Sequence, residues 1–401
     1  MCGGRDLELV LQLTPTPVGG AYVPQEYLGQ VQPVYPLELY LCHDCGYAGI
    51  LDVVSQQVLW DDSIEVTSMS MGVVKDLGEL AEAMVARKSP PKDSLAVDIG
   101  SNDGSLLKFF KQHGMRVLGV EPAHFVADIA NAAGIPTLNS YFSTDVAESI
   151  KDEWGPAKFI SANRVFANID GLTDVLQGIR RLLDSDGIFT FETGYLLDIL
   201  RDELFETIYH EHLGYDSVKP LQAFFQRNGM ELFDIERIPI KGGSLRGYVQ
   251  LAGAPEPVSQ TVASMIAVED SLGLDSAAPF AEMSAKLDSA KSEVTKLVRG
   301  LKAKGKDIVG YGAAVPSTTL IYHFGLGDAL SLLVDDDPKY HNLYSPGFHI
   351  PVSSPQAIYE RNPDYVLIVA WRYAETIMKK HQSYIDQGGH FIIPMPNVQV
   401  I

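Results

Sequence analysis

Two stretches constrain the fold of this chain more than any other feature. Ser94-Leu-Ala-Val-Asp-Ile-Gly100 and Asp307-Ile-Val-Gly-Tyr-Gly312 each run a short apolar strand into a glycine turn, and a helical pattern follows each turn. A second strand then follows in both places, Arg116–Glu121 and Leu330–Asp335. Strand, helix and strand in succession build a parallel sheet with helices on both faces. Lys158–Ala162 and Gly187–Glu192, separated by the helical stretch Gly171–Leu183, extend the first half. Tyr365–Ala370 and His390–Pro394 extend the second. Val73–Arg87 reads as an amphipathic helix ended by Pro90-Pro91, and Leu106–His113 as another. Ser259–Lys304 is mostly helical in pattern, with breaks at Gly273 and Pro279 and a glycine cap at Gly305. The expected fold class is α/β, with two Rossmann-like, doubly wound halves.

The first 50 residues do not share this pattern. They hold all three cysteines, Cys2, Cys42 and Cys45, with many Pro, Tyr and Leu and little helical periodicity. A loop-and-strand unit with so short a core needs a staple. Cys42-His-Asp-Cys45 is half of a tetrahedral zinc site by spacing. Charge narrows the partners. With 31 basic and 51 acidic side chains the formal charge is −20, so a phosphate-tracking nucleic-acid surface is not expected. No apolar run approaches the roughly 20 residues of a membrane span, and no signal peptide opens the chain. A cytoplasmic protein with a small-molecule substrate, monomeric or dimeric, is the expectation.

The first glycine turn reads Asp98-Ile-Gly100-Ser-Asn102-Asp-Gly104, and Glu121 ends the next strand. An acid there can accept from ribose hydroxyls, and the glycines let a ligand approach the backbone. Asp98 would repel a pyrophosphate but suits the ammonium of S-adenosylmethionine, so that cofactor is preferred over a dinucleotide. The second turn, Gly310-Tyr311-Gly312-Ala-Ala-Val-Pro316, lacks the third glycine of a dinucleotide fingerprint. It is read either as a nucleotide site or as architecture.

Tyr209-His210-Glu211-His212 is the densest chemistry in the chain, in a loop beyond the fourth strand of the first half. Such a run can supply a general base, its orienting carboxylate and an oxyanion donor. His-x-His could also bind a metal, a weaker alternative. Tyr215-Asp-Ser-Val-Lys219 matches the dyad of short-chain dehydrogenases, but Pro220 follows at once, and the match is read as chance. Lys241-Gly-Gly-Ser244-Leu-Arg246 reads as a phosphate or sugar site or as a tight hairpin.

In this order the pieces resemble the sugar C-methyltransferases of deoxysugar biosynthesis. The resemblance rests on Asp98–Gly104, Gly119-Val-Glu-Pro122, Tyr209–His212, Gly242–Arg246, Gly310–Ala314 and Pro346–Pro351, across nearly the whole chain. It implies a zinc-binding substrate-side domain (1–70), an S-adenosylmethionine domain (71–253) and a C-terminal Rossmann-like domain for the substrate nucleotide (254–401). It implies His212 as the base that makes an enolate at C3 of a nucleotide-linked 4-keto sugar, with Glu211, Tyr209 and His210 beside it. Asp98, Gly100, Asn102, Gly104, Glu121, Pro122, Asn163, Val165 and Phe166 would hold the cofactor. Tyr215, Ser244, Arg246, Tyr311 and Gly312 would face the substrate.

The chain also departs from the family pattern. Arg164 interrupts an Asn-Val-Phe block, and Asn168 replaces a histidine. Lys241 replaces a histidine, Pro316 a lysine and Arg372 an asparagine, and Trp60–Ser68 lacks an expected tyrosine. Several of these changes fall on the substrate side and leave a non-sugar carbonyl acceptor open. Rival readings are a nicotinamide-dependent nucleotide-sugar oxidoreductase and a catalytically silent binding protein. The family pairs Cys42 and Cys45 with an N-terminal Cys-x-x-Cys, of which Cys2 matches the second member. The missing cysteine is expected just before Met1, through a late start or a lost ligand. In the form given, Cys2, Cys42 and Cys45 would bind zinc with water or another side chain.

Overall fold

The computed structural model describes residues 1–60 and 66–401, without the side chains of Met71 and Lys241. Most of the tyrosine-free stretch Trp60–Ser68, and the Lys241 side chain, therefore lie outside the described residues. Three sheets carry the chain. The first is antiparallel and joins β1 (Leu7–Thr16), β2 (Tyr35–Cys42), β3 (Ala48–Ile50) and β9 (Gly214–Tyr215) in that order. Its last strand comes from the histidine loop, far along the chain.

The second sheet is built from β4 (Leu95–Ile99), β5 (Arg116–Val120), β6 (Thr137–Leu138), β7 (Ala157–Asn163), β8 (Leu183–Gly194), β10 (Met230–Ile238) and β11 (Ser244–Leu251). Its order is β10-β11-β8-β7-β4-β5-β6. Strands β4 to β8 pair in parallel, and β11 inserts antiparallel between β8 and β10. All five residues of β4 are buried, because a central parallel strand is covered on both faces. Helices α1 (Met71–Lys88), α2 (Ser105–Gln112) and α3 (Val218–Arg227) belong to this part.

Two helices lead onward. Helix α4 (Gln260–Leu272) ends at Gly273, left-handed at φ 62°, and α5 (Ala278–Ala303) begins with Pro279 in its first turn. Both breaks follow from the backbone preferences of the two residues. The third sheet runs β14 (Val352–Ser353), β13 (Leu333–Val334), β12 (Ile308–Tyr311), β15 (Tyr365–Ile368), β16 (His390–Ile393) and β17 (Gln399–Val400), and only β17 is antiparallel. Helix α6 (Val315–His323) follows β12. Strand order reverses between β4 and β7, and again between β12 and β15. Open α/β sheets bind ligands outside the carboxyl ends of the strands at such switch points.

Several expectations shift. The two-residue strands β6 and β14 carry no legible pattern, so the histidine loop follows the fifth strand and not the fourth. Strand β8 starts at Leu183, where helix was expected to end, and Leu330–Asp335 shrinks to Leu333–Val334. Lys241–Arg246 is the turn and the start of the second strand of a hairpin, with Ile238 opposite Ser244.

One apolar cluster runs through all three sheets and includes Leu39, Phe191 and Leu333. Separate clusters cover the outer faces of the second and third sheets. Among the described residues no helix is long and apolar enough to cross a membrane.

Candidate active site and metal centre

At the end of β4, Asp98 is buried and accepts a 2.6 Å hydrogen bond from Ser161 Oγ on β7. Burial pushes its carboxyl up to about 7, with the Ser161 bond opposing and the Glu121 charge adding to the rise. Gly100 has φ 66°, and a Cβ there would lie 2.9 Å from the Val165 side chain. A Cβ on Gly104, at φ 73°, would meet Ile135 at the same distance. Glu121 accepts from the Asn102 and Ala123 N–H groups, each at 2.9 Å, and so braces the turn. Pro122 follows it, and its carbonyl accepts from Asn139 at 2.8 Å. Asn163 ends β7 with both side-chain polar atoms buried and unpartnered among the described residues. A buried amide without partners at a switch point is the feature a polar ligand would satisfy. The buried acid, the close glycine turn and this amide fit S-adenosylmethionine.

Val165 seals the turn, whereas Phe166 is core. Phe166 is 1% exposed and stacks on Phe191 at 4.9 Å. Asp103, which carried no sequence signal, is fully buried; it accepts from Ser105 and, at 3.1 Å, from the Ser68 N–H. Asn102 Oδ1 accepts from the Thr67 N–H at 2.8 Å. The cofactor turn thereby holds the segment that enters α1.

The histidine loop is tied to this cradle, since the Leu213 N–H donates to the Ala167 carbonyl at 2.9 Å, two residues beyond Val165. His212 Nδ1 lies 3.0 Å from the Thr207 carbonyl. A carbonyl only accepts, so Nδ1 carries the proton and Nε2 presents a lone pair. The Tyr209 hydroxyl donates to that Nε2 at 3.0 Å. Glu211 turns toward the N-terminal segment, where a Cβ on Gly20 would lie 3.4 Å from its Oε1. His210 is buried, with Nε2 3.1 Å from the Pro36 carbonyl, and burial holds its pKa below the usual value. His210 and His212 are thus engaged apart, and the one metal-ligand cluster among the described residues is the cysteine set. Tyr215 is buried in β9 opposite Ala48, while Lys219 pairs at the surface with Asp270 and Asp275, so the dehydrogenase dyad does not form.

The substrate-side residues do not converge on one open surface. Arg246 is 6% exposed and bonded to Asp76 at 2.7 Å and Glu192 at 3.0 Å, so its guanidinium braces α1 against the sheet. A role in direct substrate contact is corrected accordingly. Ser244 Oγ donates to the Ile240 carbonyl within the hairpin turn. Tyr311 points to the outer face of its sheet, where its hydroxyl is 3.1 Å from Asp336 and from His381. Gly312, at φ 118°, packs against Ala370, where a Cβ would lie 2.8 Å from that residue's own Cβ. Asp335 accepts from the Ala313 N–H at 2.6 Å. The start of α6 is covered by the N-terminal segment: Thr318 Oγ1 donates to the Gly19 carbonyl at 3.0 Å, and a Cβ on Gly19 would lie 2.7 Å from Val315. Protein therefore sits where a dinucleotide pyrophosphate would. Glu206, also missed in the sequence, is buried 3.2 Å from Arg372 Nε, and burial pushes its carboxyl up to about 7.

Cys2, Cys42 and Cys45 bring their sulfurs within 4.8 Å of one another, with Cys2 and Cys42 at 3.5 Å. Tetrahedral thiolates at about 2.3 Å from zinc stand roughly 3.8 Å apart, so the set fits the ion. Gly3 and Gly46, each directly after a cysteine, have φ 76° and 74°, the conformation that turns the chain around a bound sulfur.

These features define a class of protein, an S-adenosylmethionine-dependent methyltransferase with a zinc-binding N-terminal unit. A zinc binding domain family matches residues 1–60, a methyltransferase domain family residues 75–234, and a C-methyltransferase C-terminal domain family residues 239–396. C-methyltransferase NovU of Streptomyces niveus is 32% identical over 402 residues, covering 100% of this chain and 96% of that protein. The chain belongs to this C-methyltransferase family. Among solved structures, magnesium protoporphyrin IX methyltransferase (ChlM) of Synechocystis PCC 6803 is 12% identical with TM-score 0.37, covering 49% of this chain and 92% of that one. An S-adenosylmethionine-dependent methyltransferase of Clostridium acetobutylicum is 10% identical with TM-score 0.35, covering 45% and 92%.

Proposed function

We propose that this enzyme methylates the carbon alpha to a ketone, at C3 of a nucleotide-linked 4-keto-deoxysugar, through an enolate. The observation that carries the reading is the Tyr209–His212 pair, fixed by the Thr207 carbonyl and hydrogen-bonded to the loop that seals the cofactor turn. His212 Nε2 is the ring atom with a lone pair to take the proton, since Nδ1 already donates to the Thr207 carbonyl. When the C3–H bond breaks, the proton goes to Nε2 and the electron pair moves to the carbonyl oxygen. The Tyr209 hydroxyl, displaced from Nε2, is placed to donate to that oxygen. Glu211 orients the loop from the N-terminal side, and His210 anchors it on the N-terminal sheet as a positioning group. Asp98 and Asn163 hold the cofactor, which when bound supplies the sulfonium methyl that the enolate carbon takes. We divide the chain into units 1–70, 71–253 and 254–401. We place its work in the cytoplasm, where cysteine thiolates persist as metal ligands.

The test is mass spectrometry of products from nucleotide 4-keto sugars and non-sugar ketones with isotopically labelled cofactor. Labelled methyl on a sugar carbon next to the ketone is expected. Labelling of a non-sugar ketone alone would move the acceptor class. His212→Ala should lower kcat by about 10²–10⁴, the usual worth of a general base, while cofactor binding persists. Undiminished turnover in that variant would falsify the role of His212.

A further inference from the structure

Arg164 stands between two residues that shape the cofactor cradle, and nothing in a binding role explains its own geometry. Its backbone is left-handed, at φ 59°, a conformation that a residue with a Cβ keeps only when its surroundings enforce it. The enforcement is visible. The Arg164 N–H donates to the Glu192 carbonyl at 2.8 Å, and its Nε donates to Glu192 Oε1 at 2.8 Å. A terminal nitrogen lies 3.4 Å from Asp76 Oδ2 on α1. Arg246 bonds to the same two carboxylates and lies 3.6 Å from a third, Glu236, so the two cations and their acids form one network. Glu192 is fully buried, and such a group is tolerated only while its partners are in place. On one side of Arg164 the Asn163 amide is buried and unpartnered; on the other Val165 closes over Gly100.

We infer that Arg164 is a positioning residue for the cofactor: its ion pairs with Glu192 and Asp76 hold the left-handed turn that aims the Asn163 amide into the cradle and seats Val165 across it. The inference rests on the reading of Asn163 as a cofactor contact, and the experiment separates the two.

Calorimetric titration of S-adenosylmethionine into the zinc-loaded full chain is compared for wild type, Arg164→Met, Arg164→Lys, Asn163→Ala and the double variant Asn163→Ala/Arg164→Met. Arg164→Met should weaken binding about tenfold, the scale of one lost coupling between neighbours, with kcat at saturating cofactor within about threefold. Arg164→Lys, which keeps a cation for Glu192, should recover most of that loss. Because Arg164 acts through Asn163, the double variant should bind no more weakly than Asn163→Ala alone. If Arg164→Met does not give a cooperative melt, Arg164→Gln takes its place in the cycle. Additive losses in the double variant, or full affinity in Arg164→Met beside weakened Asn163→Ala, overturn the positioning role alone. Full affinity in Asn163→Ala overturns the contact reading and the inference together.

Discussion

The two glycine turns end in the same brace and serve different ends. In the second sheet Glu121, one strand over, accepts the Asn102 N–H at 2.9 Å; in the third sheet Asp335, also one strand over, accepts the Ala313 N–H at 2.6 Å. Around the first turn polar capacity remains, in a buried Asp98 carboxyl that takes a bond from Ser161 and in the orphaned Asn163 amide. Around the second, Ala370 fills the space beside Gly312, and Gly19 and Thr318 close the helix start. A common backbone device therefore does not define a cofactor site. What defines one is polar capacity that the protein leaves unspent.

That contrast can be broken experimentally. The largest effect belongs to the first turn. Asp98→Ala should weaken S-adenosylmethionine binding by about 100-fold or more, because a buried charge partner is lost. Asp335→Ala should leave the same titration unchanged, and an equal loss in both variants would erase the distinction. Next comes the second turn as an interface. Gly19→Ala pushes a methyl group against Val315, and the melting free energy should fall by about 1–3 kcal/mol, as for an overpacked core, with cofactor affinity retained.

The third effect is one of pH. Asp98 in the cofactor-free protein titrates at about 7, raised by burial. Its ionised form, which pairs with an ammonium, dominates above that value, so affinity should fall about tenfold from pH 8 to pH 6. Asp98→Asn should flatten the profile. The smallest effect reports the junction of the three sheets. His323 on α6 accepts the Thr14 N–H at Nδ1 over 3.2 Å and packs against Phe205, and burial first, then the Lys291 charge, lowers its pKa to about 4. The folded chain disfavours the proton that the unfolded chain takes up near 6.5. Stability is therefore intact above 6.5 and lost as pH falls toward 4, by about 1 kcal/mol between 6.5 and 5.5. Denaturant titrations of wild type and His323→Gln across that interval measure it.

Local signals were legible in the sequence, and partnerships were not. Gly100, Gly104, Gly273 and Pro279 announced their turns because backbone freedom is a property of the residue itself. The buried runs of β4, β12 and β15 read as strands for the same reason. The two-residue strands β6 and β14 offered no period to detect. Arg246 looked like a ligand-binding cation because its partners, Asp76 and Glu192, lie 170 and 54 residues away in the chain. Asp103 and Glu206 looked like ordinary acids until burial set them apart. Arg164 registered only as an interruption, since a left-handed arginine has no signature without the carboxylates that hold it. In the histidine loop the residue types were readable, but the tautomer of His212 depended on a carbonyl contact that no motif encodes.

The two residues of β9 carry a consequence of their own. They leave the histidine loop to finish the sheet that holds the thiolates, with Gly214 beside Gly49 and Tyr215 beside Ala48. Strand pairing is cooperative, so the order of the histidine loop is coupled to that of the metal-binding sheet. Removing zinc with a chelator is then expected to loosen the histidine loop together with the N-terminal sheet, read as lost hydrogen-exchange protection at Gly214 and Tyr215.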